Sequence, residues 1–363
     1  MPVTGRAGIP HQQIRFCRAP DGVRIAYAVH GQGPPLLIST CWLSHLQHDW
    51  ESPVWRHFLE DIGRFATIIR FDERGHGLSD WDVTDFSLDA RVGDLAAVAD
   101  DAGLSTFALM AMAQGGPVAI RYAHAHPARV TRLVFYDSYA DPQHGVTDDD
   151  LELEDAFEQI IKVGWGRPEG TFRRVFSTQM IPDATEEQLG WLDDLLKVSV
   201  SPRTAVLARQ QRKWADASAL MPELTTPTLV LHSLRDRMNH FDHARHLSAG
   251  IPGARLVPLD SGNHILLADE PAWPVFVSEV RDFLAADASR DPAPAVPLTR
   301  LLSGREVEVL RLAADGRDNE EIARSLTLSV RTVERHLQNI YAKLDLQGKA
   351  ARTAAVARLL GGG

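Results

Sequence analysis

A chain of 363 residues is long enough for one large domain and a small one. With 44% hydrophobic and 24% charged residues it reads as a globular protein, which excludes general disorder. No run reaches the roughly 18 to 20 uninterrupted apolar residues of a membrane span, and residues 1–13 lack an apolar stretch of signal-peptide length. Cys17 and Cys41 are the only cysteines and have no CxxC partner. No disulfide framework, metal site or cofactor is therefore expected, and a reducing, cytoplasmic setting is.

The net charge of −10 is unevenly spread. From residue 292 onward there are 11 Lys and Arg against 8 Asp and Glu, a net of +3, which leaves −13 for the rest. An acidic body with a mildly basic tail implies that the tail alone approaches a polyanion.

Residues 14 to 29 alternate around Asp21-Gly22, the pattern of a hairpin. A short strand is expected at Leu36–Thr40, with Cys41-Trp42 at its C-terminal end. A helix around Val54–Phe65, a strand at Ala66–Phe71 and a glycine-punctuated loop, Asp72–Asp80, follow. The spacing of Val92, Leu95, Val98 and Ala99 predicts a helix over Leu88–Ala102. The apolar run Phe107–Met110 then breaks into small residues and glycines before a helical segment, Pro117–Ala125, and a strand at Val130–Tyr136. Residues 142–222 interrupt this alternation and are helical in character. Trp165, Trp191 and Trp214 in that stretch are read as its core, the alternative being that one of them lines a cavity. Strands resume at Pro227–Ser233 and Ala254–Pro258, and a helix at Trp273–Leu284 closes the pattern. Strands alternating with helices imply a parallel sheet covered on both faces.

The run Phe71-Asp-x-Arg-Gly-x-Gly-x-Ser79, the turn Ala111-Met-Ala-Gln-Gly115 and the later Gly262-Asn-His264 resemble the α/β-hydrolase superfamily over residues 14–285. The resemblance implies an α/β fold with a helical cap at about 142–222. It places the nucleophile position of the G-x-S-x-G elbow at Ala113, the triad acid at Asp236 and the triad base at His264. A methyl group cannot attack a carbonyl. Thr40-Cys41 also stands where the superfamily usually has a glycine-containing pair that makes half of an oxyanion hole. A degenerate hydrolase that holds a small, largely apolar effector is therefore expected, with Cys41, Trp42, Ala113, the Gln114 N–H and His264 at the pocket. An active hydrolase, or a cofactor-free enzyme using His264 and Asp236, is the competing reading.

Proline-rich residues 286–297 read as a linker. Beyond it, residues 298–363 form four predicted helices: one opened by a capping box at Ser303–Glu306, one by a box at Asp318–Glu321, one capped by Ser329, and Lys349–Leu360. Glu306, Leu310, Gly316, Asn319, Ile322, Ala323, Leu326, Ser329, Thr332, Val333, His336, Ile340 and Lys343 resemble the LuxR/GerE-type helix-turn-helix domain. On the third helix Val330, Val333, Leu337, Ile340, Tyr341 and Leu344 share the packing face, while Arg331, Thr332, Arg335, Asn339 and Lys343 form the opposite arc. Those five suit a major groove, and the helix N-termini near Asn319 and Ser329 suit phosphate. The resemblance implies double-stranded DNA as partner and a homodimer, with the last helix as the dimer contact.

Overall fold

The computed structural model describes residues 12–39, 43–286, 302–343, 346 and 351–360. Cys41, Trp42, nearly all of the expected linker, Leu344 and the first residues of the expected fourth helix lie outside that set. Eight strands form one sheet in the order β1-β2-β4-β3-β5-β6-β7-β8. They are β1 (Gln13–Arg18), β2 (Arg24–Gly31), β3 (Pro35–Ser39), β4 (Thr67–Phe71), β5 (Phe107–Met112), β6 (Val130–Tyr136), β7 (Thr228–Ser233) and β8 (Arg255–Leu259). The expected hairpin forms, its turn made by Gly22 at a φ of 90°. Because β2 also runs antiparallel to β4, the sheet is mixed; the neighbours from β4 through β8 are parallel. Helix–strand alternation alone pointed to a fully parallel sheet, but a hairpin adds to an edge without a crossover helix.

Strand alternation sends side chains to two separate cores. Leu37, Ile69, Leu109, Phe135 and Val230 face a layer built by α3 (Leu88–Asp101), α4 (Gly115–Ala125) and α9 (Asp242–Gly250). Ile38, Ile68, Met110, Val134 and Leu231 face α2 (Arg56–Gly63), α10 (Ala272–Ala285) and the inserted cap. A short helix α1 (Leu46–Trp50), absent from the expectation, precedes α2.

The cap consists of α5 (Asp148–Gly164), α6 (Thr171–Met180), α7 (Glu186–Ser199) and α8 (Pro202–Arg212). Thr147 and Thr185 open α5 and α7 with reciprocal capping boxes, and Ser201 caps α8 ahead of Pro202. Its three tryptophans have three different environments. Trp165 is buried against Phe176, Trp191 stacks on His48, and Trp214 is 75% exposed. Trp214 is therefore not core: α8 ends two residues before it and the chain turns outward there.

Four further helices follow: α11 (Gly304–Ala314), α12 (Asn319–Leu326), α13 (Val330–Lys343) and α14 (Ala351–Leu360). Both predicted capping boxes are present, at Ser303 with Glu306 and at Asp318 with Glu321. Val333, Leu337 and Ile340 of α13 pack with Leu310, Ile322 and Val356 into one small core. Val330 does not: it is exposed as the first residue of α13, one turn short of the packed face. This helical unit touches the sheet domain, α14 running beside edge strand β8 and Arg245 of α9 donating to the Ala314 carbonyl at 3.0 Å and to Asp315 at 2.8 Å. Among the described residues no helix is long and apolar enough to cross a membrane.

Candidate functional site

The turn between β5 and α4 is forced by its residues. Ala113 sits in the left-handed region at φ 45°, a conformation unfavourable for any residue with a Cβ. It is held there from both sides: its N–H donates to the Tyr136 carbonyl at 3.1 Å and its own carbonyl accepts from Ser138 Oγ at 2.5 Å. Gly115 and Gly116 allow the helix to start hard against its neighbours. A Cβ on Gly115 would lie 2.6 Å from the Ser39 carbonyl, and one on Gly116 would fall onto that of Tyr139. Ala113 is thus aimed at the space under the cap, as the side chain on such an elbow must be.

His264 and Asp236 meet across two loops, Nδ1 to Oδ2 at 2.7 Å, with both side chains buried. The histidine loop is fastened at three points: His264 N–H to the Met180 carbonyl of α6, and Tyr136 Oη to both the His264 carbonyl and the Leu266 N–H. Burial pushes the His264 pKa down, but the Asp236 carboxylate outweighs it and holds the imidazole above its usual value. Conversely Asp236, though buried, is kept below the usual carboxylate range by His264.

A second acid, Asp137, was missed from sequence. It follows β6 directly at φ 44° and accepts from the Ser233 N–H at 2.6 Å and Ser233 Oγ at 3.1 Å. Burial and the nearby Asp236 charge push its carboxyl well above the usual range. The clue available was an acidic residue at the C-terminal end of a sheet strand. Asp137, Asp236 and His264 present ligand-type atoms within 4.8 Å of one another. Within this group His264 is hydrogen-bonded to Asp236, while Asp137 is held by Ser233.

The loop Asp72–Asp80 braces this site. Asp72 accepts from Ser44 Oγ, Leu46 N–H and Leu78 N–H, and a Cβ on Gly77 would fall onto its carboxylate. Glu73 receives Arg91, Arg212 and, at 3.0 Å, the Gln114 side chain. Arg91 also donates to the Gln114 carbonyl at 3.0 Å, fixing the residue after the elbow from both its side chain and its backbone. Glu73, Arg91 and Arg212 stand 139 positions apart at the extreme, so no local pattern could have joined them.

These groups open on a cavity of about 310 Å³ between the sheet and the cap. Its wall includes Ala113, Gln114, Asp137, Arg212 and His264 with Met112, Trp55 and Leu195. Of the expected pocket residues, Ala113, Gln114 and His264 converge there; Cys41 and Trp42 lie outside the described residues. Among the described residues the tryptophan on the wall is Trp55, which precedes α2, and none of the three in the cap. Cys17, on β1, is buried and its thiol is pushed up to about 11 by burial and by Asp101.

On α13, Arg331, Arg335 and Asn339 are exposed and Thr332 is half-buried, with the sheet domain in place. Ser329 is exposed and caps the helix, accepting from the Thr332 N–H at 3.1 Å. Lys343, also exposed, reaches back 2.6 Å to Glu306 of α11, and Asn319 accepts from Arg352 at 2.7 Å. Those two positions are therefore engaged within the helical unit.

Comparison with known proteins places both parts. The family described as Serine aminopeptidase, S33 matches residues 65–271, more than half of the chain, and the family of bacterial regulatory proteins of the luxR type, GerE, matches residues 300–356. The AB hydrolase superfamily protein YisY of Bacillus subtilis is 26% identical over 250 residues, 64% of this chain and 86% of that protein. A putative carbamate hydrolase RutD of Rhizobium rhizogenes is 26% identical over 239 residues, 64% and 87%. The oxygen regulatory protein NreC of Staphylococcus aureus is 42% identical over 72 residues, which are 20% of this chain and 33% of that protein. Among solved structures, the Rhodococcus esterase RhEst1 superposes with a TM-score of 0.64 at 25% identity, covering 75% of this chain and 98% of that one. The Exiguobacterium antarcticum esterase EaEST gives 0.63 at 21%, covering 75% and 99%. The chain belongs to the hydrolase family described as Serine aminopeptidase, S33, and carries a GerE-type DNA-binding domain of the luxR family, which makes it a DNA-binding regulator fused to a hydrolase-like domain.

Proposed function

We propose that this protein is a one-component, cytoplasmic transcription regulator in which a non-catalytic hydrolase-fold domain, residues 14–285, binds a small-molecule effector. The unit at 298–363 then reads DNA as a homodimer, with residues 286–297 as the linker. One observation carries the reading: the side chain on the strained elbow, facing the cavity, is the methyl group of Ala113. Ala113 stands in for the nucleophile serine, so the His264–Asp236 pair has no hydroxyl to deprotonate and serves as a polar anchor for a ligand. Arg331, Thr332, Arg335 and Asn339 are the groups offered to base edges and phosphates, with Asn319, Ser329 and Lys343 at the borders of that surface.

A second reading is favoured by the intact 2.7 Å contact between His264 and Asp236. That pair could activate water without a serine, leaving a hydrolase tethered to a DNA-binding unit. A panel of activated esters separates the two. The regulator reading expects no turnover by the natural protein; turnover that vanishes on His264→Ala would establish the second reading instead.

A further inference from the structure

Helix α8 ends at Arg212, whose side chain is 5% exposed and lies on the cavity wall. Its Nη2 donates to Glu73, while Nε and Nη1 are buried and have no acceptor. Glu73 is not its partner alone. Arg91, buried to the same degree, donates Nε to the other oxygen of the same carboxylate. Two guanidinium groups thus share one carboxylate. Asp94, which borders the same cluster, is held through both oxygens by Arg74 at 2.7 Å. The remaining acids on the cavity wall are also engaged: Asp137 with Ser233, Asp150 with Thr147, Glu154 with Arg209, Glu158 with Gln210 and Asp242 with Arg245.

A buried cation that lacks its own counter-ion is costly, and so are buried donors without acceptors. Here both faults fall on one residue, and that residue borders a space large enough for a small ligand. One surplus positive charge calls for one negative charge, which is what a carboxylate brings and a phosphate dianion exceeds. We infer that the cavity takes a small organic acid, its carboxylate on Arg212 and its apolar body among Met112, Phe157, Leu192 and Leu195. The inference rests on the reading of this cavity as the effector site and narrows the effector from largely apolar to amphipathic and anionic. Arg212 positions the ligand and the Glu73–Gln114 link ties it to the elbow.

The test uses full-length protein, with tryptophan fluorescence as readout because Trp55 lies on the wall. Phenylbutyrate and octanoate are titrated beside their neutral primary amides, which match them in size. The acids should bind at least about tenfold tighter than the amides, the size of a charge-assisted bond in a water-poor site. Arg212→Met should erase the preference, and Arg212→Lys, which keeps the charge, should retain part of it. Amides that bind wild-type protein as well as the acids do would overturn the carboxylate anchor and leave the effector cavity standing. An acid preference that survives in Arg212→Met would also overturn it. If none of the four compounds binds, the effector-cavity reading fails with it. Should Arg212→Met not fold, the acid-to-amide ratios of wild type and Arg212→Lys decide.

Discussion

Restoring a hydroxyl at the elbow is the most direct trial of the proposed loss of catalysis. Ala113 already carries a Cβ at φ 45°, so Ala113→Ser adds one oxygen and no new backbone strain. His264, held by Asp236 behind it, stands on the same cavity wall. In a comparable serine–histidine–acid set, losing the nucleophile costs roughly 10⁶ in kcat, which sets the ceiling for what the substitution can return. The residues at 40 and 41 depart from the usual oxyanion-forming pair, and one missing donor costs about 10²–10³. A gain of about 10³–10⁴ over the natural protein on a nitrophenyl ester is therefore expected. The sign with pH is fixed by His264: its folded pKa is raised above 6.5, so the free base needed to take the serine proton is scarce below that value. Activity should climb as pH rises through the raised pKa and vanish in the Ala113→Ser, His264→Ala double variant. If Ala113→Ser is folded yet neither hydrolyses the ester nor reacts with a fluorophosphonate, the elbow is not a disabled catalytic site.

Other substitutions probe different parts of the molecule. His243 is buried near His144 and held neutral, its pKa lowered to about 4 chiefly by burial. The unfolded chain takes up a proton at about 6.5, so between those values it binds more protons than the folded form and stability falls as pH drops. His243→Leu should remove that loss, so that moving from pH 7 to pH 5 favours the variant over wild type by about 2 kcal/mol in denaturant melts; a difference independent of pH would mean that His243 is not buried neutral. Arg335→Ala should weaken specific DNA binding by roughly 1–3 kcal/mol if it reads a base, and an unchanged affinity at fixed salt would remove it from the readers. Arg245→Ala should leave the melting of the sheet domain within about 1 kcal/mol of wild type, since the pair it breaks is exposed, while altering the DNA affinity of effector-free protein. Unaltered affinity would show that this contact carries no coupling.

Much of the architecture could be read from the chain because it is encoded locally. Alternation marked the first hairpin, short apolar runs marked the buried strands, and the capping residues at Ser303 and Asp318 fixed two helix starts to the residue. The elbow and the His264–Asp236 pair were legible because each sits at a marked spot, a glycine-rich turn or the end of a strand. The site's interior was not legible. Glu73, Arg91 and Arg212 come from a loop, a surface helix and the cap, and their meeting depends on how far the cap folds back over the sheet. Lys343 belongs to the exposed arc of α13 by helical spacing, yet its long side chain, while still exposed, ends on the buried Glu306. Trp214 misled because hydrophobicity predicts burial only where the backbone turns inward, and after α8 it does not.

Effector control further requires that the two states differ in free energy by more than surface contacts supply. Moving a population from 1:99 to 99:1 takes about 5.5 kcal/mol of differential binding, whereas an exposed ion pair such as Arg245–Asp315 is worth at most about 1. The larger share must come from packing, and the structure offers one candidate: α14 seated beside β8, the open edge of the sheet. An unpaired edge strand is costly to leave bare. Helix α9 joins this seat to the cavity, because Asp242 and His243 border the cavity while Arg245, on the same helix, grips the end of α11. A ligand that displaces the start of α9 therefore acts at once on the contact that holds the DNA-binding unit in place. Since α14 already packs Ala355 and Val356 into its own unit and has β8 alongside, pairing with a second copy competes with that seat. Under the proposed function, dimer formation on DNA and release from β8 are then one equilibrium, and the effector needs only to bind its two ends unequally.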